Sequence, residues 1–213
     1  MAVSGVLRPG HAQIRVMDLD AGVHHYRDVL GLEEMGRDAS GRVFLRAWDE
    51  RDHHSVILRQ DDNAGIDFFG FKVLDEATLD RLEADLQAYG VETSRIPAGE
   101  LMETGERVRF EIPSGHQIEL YAHKTFMGGT LGQHDPSPYN AKMDKGIAPM
   151  RLDHCLLYGP NVGEVLELFT KVLGFHLAEY VTLPDSDEKG ALRLSCSNKA
   201  HDIAFVIHPA PNK

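Results

Sequence analysis

Apolar residues recur along this chain with two periods, and the switch from one period to the other happens in the same order three times. Positions 11–17 alternate, with Ile14 and Val16 on one face and His11, Gln13 and Arg15 on the other, which predicts a strand. Asp18 or Asp20 is placed to cap the helix that follows. Val23, Tyr26 and Val29/Leu30 fall there at helical spacing, and Gly31 sits where the last turn needs a left-handed residue. Strands are expected next at 32–36, 42–48 and 54–59, separated by polar or glycine-containing turns. A second unit repeats the pattern. It has a strand at 70–74, a helix carrying Leu79, Leu82, Leu86 and Tyr89 and closed by Gly90, and strands at 92–96, 107–112 and 116–121. The last two are joined by Pro113-Ser114-Gly115. A third unit begins at Met150, with His154 opening its strand and Asn161 positioned to cap a helix bearing Val162, Val165/Leu166, Phe169 and Val172/Leu173. Gly174 closes that helix, and strands follow at 175–182, 191–197 and 202–207.

The expected fold class is therefore α+β, built from repeated βαβββ modules. Units one and three align without a gap: 154 − 11 = 143 for His11 and His154, and 174 − 31 = 143 for Gly31 and Gly174. A fixed long offset marks duplicated units. A single such unit leaves a sheet face bare, so units are expected to pack in pairs. Two pair into an N-terminal domain over 1–123, and the third, over 150–213, is the first half of a second domain. Between them, 124–149 loses all periodicity and is rich in Gly and Pro, which predicts a connecting segment; loops of that length usually cover or serve a site.

Charge and composition narrow the function. A net charge of −11, with no run of one sign, speaks against a nucleic-acid surface. Cys155 and Cys196 lie in separate apolar runs and form no C-x-x-C pair, so they read as buried free thiols of a reducing compartment. No basic segment followed by an apolar stretch opens the chain, and no apolar run approaches membrane-spanning length, so a cytoplasmic protein without a membrane partner is expected. G-x-S-x-G, P-loop and G-x-G-x-x-G patterns do not occur, which removes the corresponding hydrolase and nucleotide-binding readings.

Histidines carry the remaining chemistry. Taken alone, His154 reads as a strand histidine held by one hydrogen bond, with metal ligation the sharper alternative. Asp153 beside it is expected on the opposite sheet face. His24 and His25 are adjacent on a helix and point about 100° apart, so they cannot readily share a metal. His53-His54 in a polar turn and His116 beside a tight turn read as surface residues, Trp48 as core, and His208 as a residue that could face a pocket.

The chain resembles the extradiol ring-cleaving dioxygenases of the vicinal oxygen chelate superfamily. The resemblance rests on Arg8-Pro-Gly-His11, His25-Tyr26 with Val29-Leu-Gly-Leu32, Pro97-Ala-Gly-Glu-Leu101 and Arg107-Val-Arg-Phe110. It continues through Pro113-Ser-Gly-His116 with Glu119-Leu-Tyr121, Leu152-Asp-His154, Leu168-Phe-Thr-Lys-Val-Leu-Gly-Phe175 and Lys199-Ala-His-Asp202. It implies four βαβββ modules, of which this chain holds three, and one mononuclear Fe(II) in the C-terminal domain, held by two histidines and a carboxylate. His154 matches the first ligand. His201 matches a pocket histidine acting as an acid–base group or as a partner for bound oxygen. The family's second histidine and its glutamate would fall beyond Lys213. In the N-terminal domain His11 and Glu119 match ligand positions, but Gly70 stands where the second histidine is needed, so no metal is expected there. The implied reaction cleaves catechol or a substituted catechol with O2 to 2-hydroxymuconic semialdehyde, in a homotetramer. The competing readings are a truncated, inactive or metal-free ligand-binding member of the superfamily without ring-cleavage activity, and a glyoxalase-like isomerase or lyase using a different metal.

Overall fold

In the computed structural model, residues 5–128 and 145–212 are described, and three βαβββ runs follow one another along the chain. The first comprises β1 (Val6–Val16), α1 (Leu19–His24), β2 (Glu33–Arg37), β3 (Val43–Arg46) and β4 (Val56–Gln60). The second comprises β5 (Gly65–Val73), α2 (Glu76–Ala88), β6 (Thr93–Ile96), β7 (Arg107–Glu111) and β8 (Gln117–Tyr121). The third comprises β9 (Cys155–Gly159), α3 (Val162–Lys171), β10 (His176–Thr182), β11 (Lys189–Ser195) and β12 (Ile203–Ile207).

Local chemistry sets the element ends. Asp18 caps α1 by accepting from Ala21 N at 2.9 Å, and Asp75 caps α2 by accepting from Thr78 N at 2.8 Å. The first helix does not continue as α-helix to Leu30. Its last turn, His25–Val29, widens to a π-helix, with Leu30 N donating to His25 O at 2.9 Å. Gly31 then has φ +92°, and a side chain there would lie 1.8 Å from the Lys145 carbonyl, so both backbone shape and close approach require glycine. Asn161 stands at the start of α3 as expected but does not cap it. Its backbone is left-handed at φ +58° and its amide instead donates to Pro113 O at 3.1 Å, tying the third unit to the second.

Strands from units one and two form one eight-stranded sheet, β2-β3-β4-β1-β5-β8-β7-β6, joined at its centre by antiparallel β1 and β5. Unit three forms a four-stranded sheet, β10-β11-β12-β9, in the same internal order as β2-β3-β4-β1. Parallel pairing of β1 with β4 is matched by that of β9 with β12. Among the described residues, β9 has a neighbour on one side only.

Unit three, expected to lack a partner, has one for its helical side. Val165, Leu168 and Phe169 of α3 share a single apolar core with Leu79, Leu82 and Leu86 of α2 and with Phe71 of β5. Phe71 and Phe175 meet edge to face at 5.2 Å. The other face of the small sheet stays open, with Leu156, Tyr158 and Val181 all exposed. Of the expected connecting segment, 129–144 lie outside the described residues. Its start bridges back to the first body through Thr104–Lys124 and Asp52–Phe126. Its end lies along unit one, where Trp48 is half-buried and its Nε1 donates to Ala148 O at 3.1 Å.

Candidate metal and active site

His154 immediately precedes β9 and His201 lies two residues before β12, so the parallel pairing of Cys155 with Ile203 brings the two histidines together. Their ring centroids are 4.4 Å apart at an interplanar angle of 65°. Both line an open concavity of 290 Å³ walled by Leu156, Tyr180, Val181 and Ala204. The side chain of His154 is 45% exposed, which leaves it accessible to a ligand from that side. His201 Nδ1 is buried without a hydrogen-bond partner. Burial, then the neighbouring His154, pushes the His201 pKa below the usual imidazole value.

A chain of side chains supports His154 from behind. Residues 151–154 are not yet strand, so alternation does not govern Asp153; its carboxylate turns to the ring beside it and accepts from His154 Nδ1 at 2.8 Å. Lys199 Nζ donates to the Asp153 carbonyl, and lies 3.2 Å from Asp153 Oδ1 and 3.0 Å from Asp202 Oδ1. Asp202 is fully buried and also accepts from Cys196 N at 2.9 Å and Ser197 N at 3.0 Å. The His154 hydrogen bond, and then Lys199, hold the Asp153 carboxyl below the usual carboxylate range.

At the equivalent place in the first half the same residue types are sealed. His11, Gly70 and Glu119 sit side by side on adjacent strands β1, β5 and β8. His11 and Glu119 are fully buried, with His11 Nε2 3.0 Å from Glu119 Oε2. Arg107 and Arg109 alternate onto one face of β7 and both reach Glu119: Arg107 Nη1 lies 2.9 Å from each carboxylate oxygen, and Arg109 Nε is 2.7 Å from Oε1. Two guanidiniums therefore stand where a cation would bind. Gly70 is needed for a further reason, since a Cβ there would lie 2.4 Å from His11 Nε2. The ring of the first histidine occupies the volume a second one would require. Burial, then the Lys124 charge, pushes the His11 pKa down to about 3. Burial pushes Glu119 up, but the His11 hydrogen bond and the two arginines outweigh it and bring the carboxyl to about 2. The site is closed by Lys124, whose Nζ donates to His11 Nδ1 at 2.9 Å and to His54 O at 2.9 Å.

His53, His54 and His116, read from sequence as surface residues, are buried. His53 N donates to Thr125 O at 2.9 Å, so the turn is covered by chain some 70 residues downstream, which a local pattern does not reveal. His116 Nδ1 is 2.9 Å from Ser114 Oγ inside its tight turn. His54 is the counterpart of His201. Ala12 pairs with Val56 as Cys155 pairs with Ile203, and 56 − 54 equals 203 − 201. Its ring is 5.9 Å from His11. The signal lay in a second offset, 201 − 54 = 147, four longer than that of the first strands. His24 and His25 are exposed, and His208 lines a different concavity with Pro160 and Val162. Both cysteines are free, and burial pushes their thiols up, so they are inert packing groups.

His154 suits a metal at one position. Among the described residues, no three His, Cys, Asp or Glu side chains converge to hold an ion, so the donor set is incomplete there.

A family model described as the catechol 2,3-dioxygenase-like N-terminal domain matches residues 66–125. A metapyrocatechase from Pseudomonas sp. strain CF600 is 51% identical over 98% of this chain, which spans 68% of that protein. The crystal structure of the 2,3-dioxygenase LapB from Pseudomonas sp. KL28 superposes with a TM-score of 0.96 at 63% identity, over all of this chain and 74% of its own. A manganese-dependent 2,3-dihydroxybiphenyl 1,2-dioxygenase from Geobacillus genomosp. 3 is 28% identical, and this chain covers 65% of its length.

Proposed function

The chain belongs to the catechol 2,3-dioxygenase family of extradiol ring-cleaving enzymes, and from that premise we propose that unit three contributes to an Fe(II) site that opens catechol, or a substituted catechol, beside its hydroxyl pair. The product is 2-hydroxymuconic semialdehyde. His154 supplies one ligand through Nε2, and His201 is the acid–base group. The observation that carries the reading is the meeting of these two rings at 4.4 Å over an open concavity, while their counterparts His11 and His54 are sealed.

When bound, the ferrous ion supplies a Lewis-acidic template for the diol oxygens and an electron path to dioxygen. The residues around it do the rest. An imidazole at His201 can take a catechol hydroxyl proton and return it later, because its ordinary pKa lies near neutrality. Leu156, Val181 and Ala204 offer an apolar wall for the flat ring and displace water from it. Iron is preferred to other divalent ions within this reading, and the manganese-dependent relative makes the metal itself a point to test. A homotetramer in the cytoplasm completes the proposal. Among the described residues no helix is long and apolar enough to cross a membrane.

The test is a colour assay. The protein is loaded anaerobically with Fe(II) or Mn(II), given catechol, and exposed to air; the yellow semialdehyde is expected with iron. Iron-replete protein that stays colourless with catechol and its alkyl derivatives overturns the reading, and colour only with manganese overturns the metal.

A further inference from the structure

The two equivalent histidines, His11 and His154, are held by opposite ring nitrogens. At His11, Nδ1 accepts from Lys124 at 2.9 Å, so the ring proton is on Nε2 and points at Glu119. At His154 the carboxylate of Asp153 lies 2.8 Å from Nδ1, so the ring proton is on Nδ1 and Nε2 keeps its lone pair. Nε2 has no hydrogen-bond partner among the described residues, and the side chain is 45% exposed.

From this we infer that Asp153 is a positioning residue, anchored through Lys199 on buried Asp202, whose function is to fix His154 in the Nδ1–H tautomer and present Nε2 to a metal. The inference rests on the reading of His154 as a ligand and adds how that ligand is prepared. A neutral imidazole can carry its proton on either nitrogen, and the hydrogen bond at one nitrogen decides which one is free to ligate. A carboxylate behind a ligating histidine also fixes the ring orientation and raises its basicity. Asp153 is half-exposed and would swing freely without a second hold, which Lys199 provides by gripping both its carbonyl and its carboxylate. Lys199 is itself fixed by Asp202, which five further donors hold rigid: Ser195 Oγ, Cys196 N, Cys196 Sγ, Ser197 N and Ser197 Oγ. The first half carries none of this apparatus. Gly10 precedes His11 as Asp153 precedes His154, and Asp52 and Ser55 stand at the places of Lys199 and Asp202.

The experiment reads the tautomer directly and needs no metal. Two-bond proton–nitrogen correlation on nitrogen-15-labelled, metal-free protein, about two pH units above the ordinary histidine pKa, distinguishes the two forms for each ring. The Nδ1–H pattern is expected for His154 and the Nε2–H pattern for His11. Asp153→Ala should move His154 to a mixed or Nε2–H pattern, whereas Asp153→Asn, whose amide oxygen still accepts, should retain Nδ1–H. Lys199→Met should give an intermediate mixture. In iron-loaded protein, Fe(II) affinity should fall by roughly 10–100-fold in Asp153→Ala, and by less in Asp153→Asn. An Nε2–H pattern for His154 in the unaltered protein, or no change on Asp153→Ala, overturns the inference. Failure of the catechol assay with the tautomer pattern intact strikes the iron reading alone.

Discussion

His11 and His154 occupy the same place in duplicated units, yet one is buried among charges and the other borders an open concavity. The difference lies in their neighbours. Around His11, two arginines neutralise the carboxylate, a lysine occupies the far ring nitrogen, and Gly70 gives up its side-chain volume to the ring. Around His154, the ring proton is drawn to the back by Asp153 and the front is left free. A duplicated scaffold can thus turn ligand-type residues into a structural charge cluster by filling the cation's place with guanidinium groups.

The sharpest way to widen the contrast is His201→Phe. Loss of a positioned acid–base group should cost about 10²–10⁴-fold in turnover, with iron content nearly unchanged; an equal loss of iron, measured alongside the rate, would make His201 structural instead. The corresponding break in the first half is Arg107→Ala, which leaves buried Glu119 short of its main counter-charge. It should cost roughly 3–5 kcal/mol in urea unfolding. The exposed Arg193–Glu179 pair is the control, and its removal should cost about 0–1 kcal/mol. If both changes cost the same, the first-half cluster is not the buried unit described here.

Acid should attack the sealed half. His11 has a folded pKa of about 3 against 6.5 for the free residue, so below pH 6.5 the unfolded chain takes up a proton that the folded chain refuses. Stability from His11 is therefore complete above 6.5 and lost progressively as pH falls toward 3. Glu119, held at about 2 against 4.5, adds a loss of the same sign beginning lower. Urea midpoints measured between pH 7 and 4 should fall steadily, and replacing Glu119 by Gln should flatten the lower part of that slope. A smaller effect is expected for Gly70→Ala, where the new methyl meets the His11 ring; overpacking of this kind costs about 1–3 kcal/mol. Unchanged stability would show that the ring has room to move.

The three βαβββ runs were readable from period changes and end signals, because Asp18, Gly31, Gly90 and Gly174 act through local backbone chemistry. The duplicated histidine was readable because the first strand and helix of units one and three kept equal length. The closed first-half site was only half readable. Gly70 announced a missing ligand, but the arginines that fill the place come from a strand whose register no local pattern fixes. His54 was missed for the same reason, since its cover is brought by residues 124–127. Asp153 was assigned to the wrong face because alternation was applied to a residue two positions before the strand begins.

The apolar interior shared by α2, α3 and Phe71 has a consequence for how the molecule comes apart. With Phe71, Phe175, Phe169 and Phe205 in successive ring contact, units two and three share one core, while unit one keeps apolar clusters of its own. Backbone amides of β5 and β12 should exchange with solvent at a common opening free energy, as one cooperative block. The sealed half would then set the lifetime of the half that carries the open concavity.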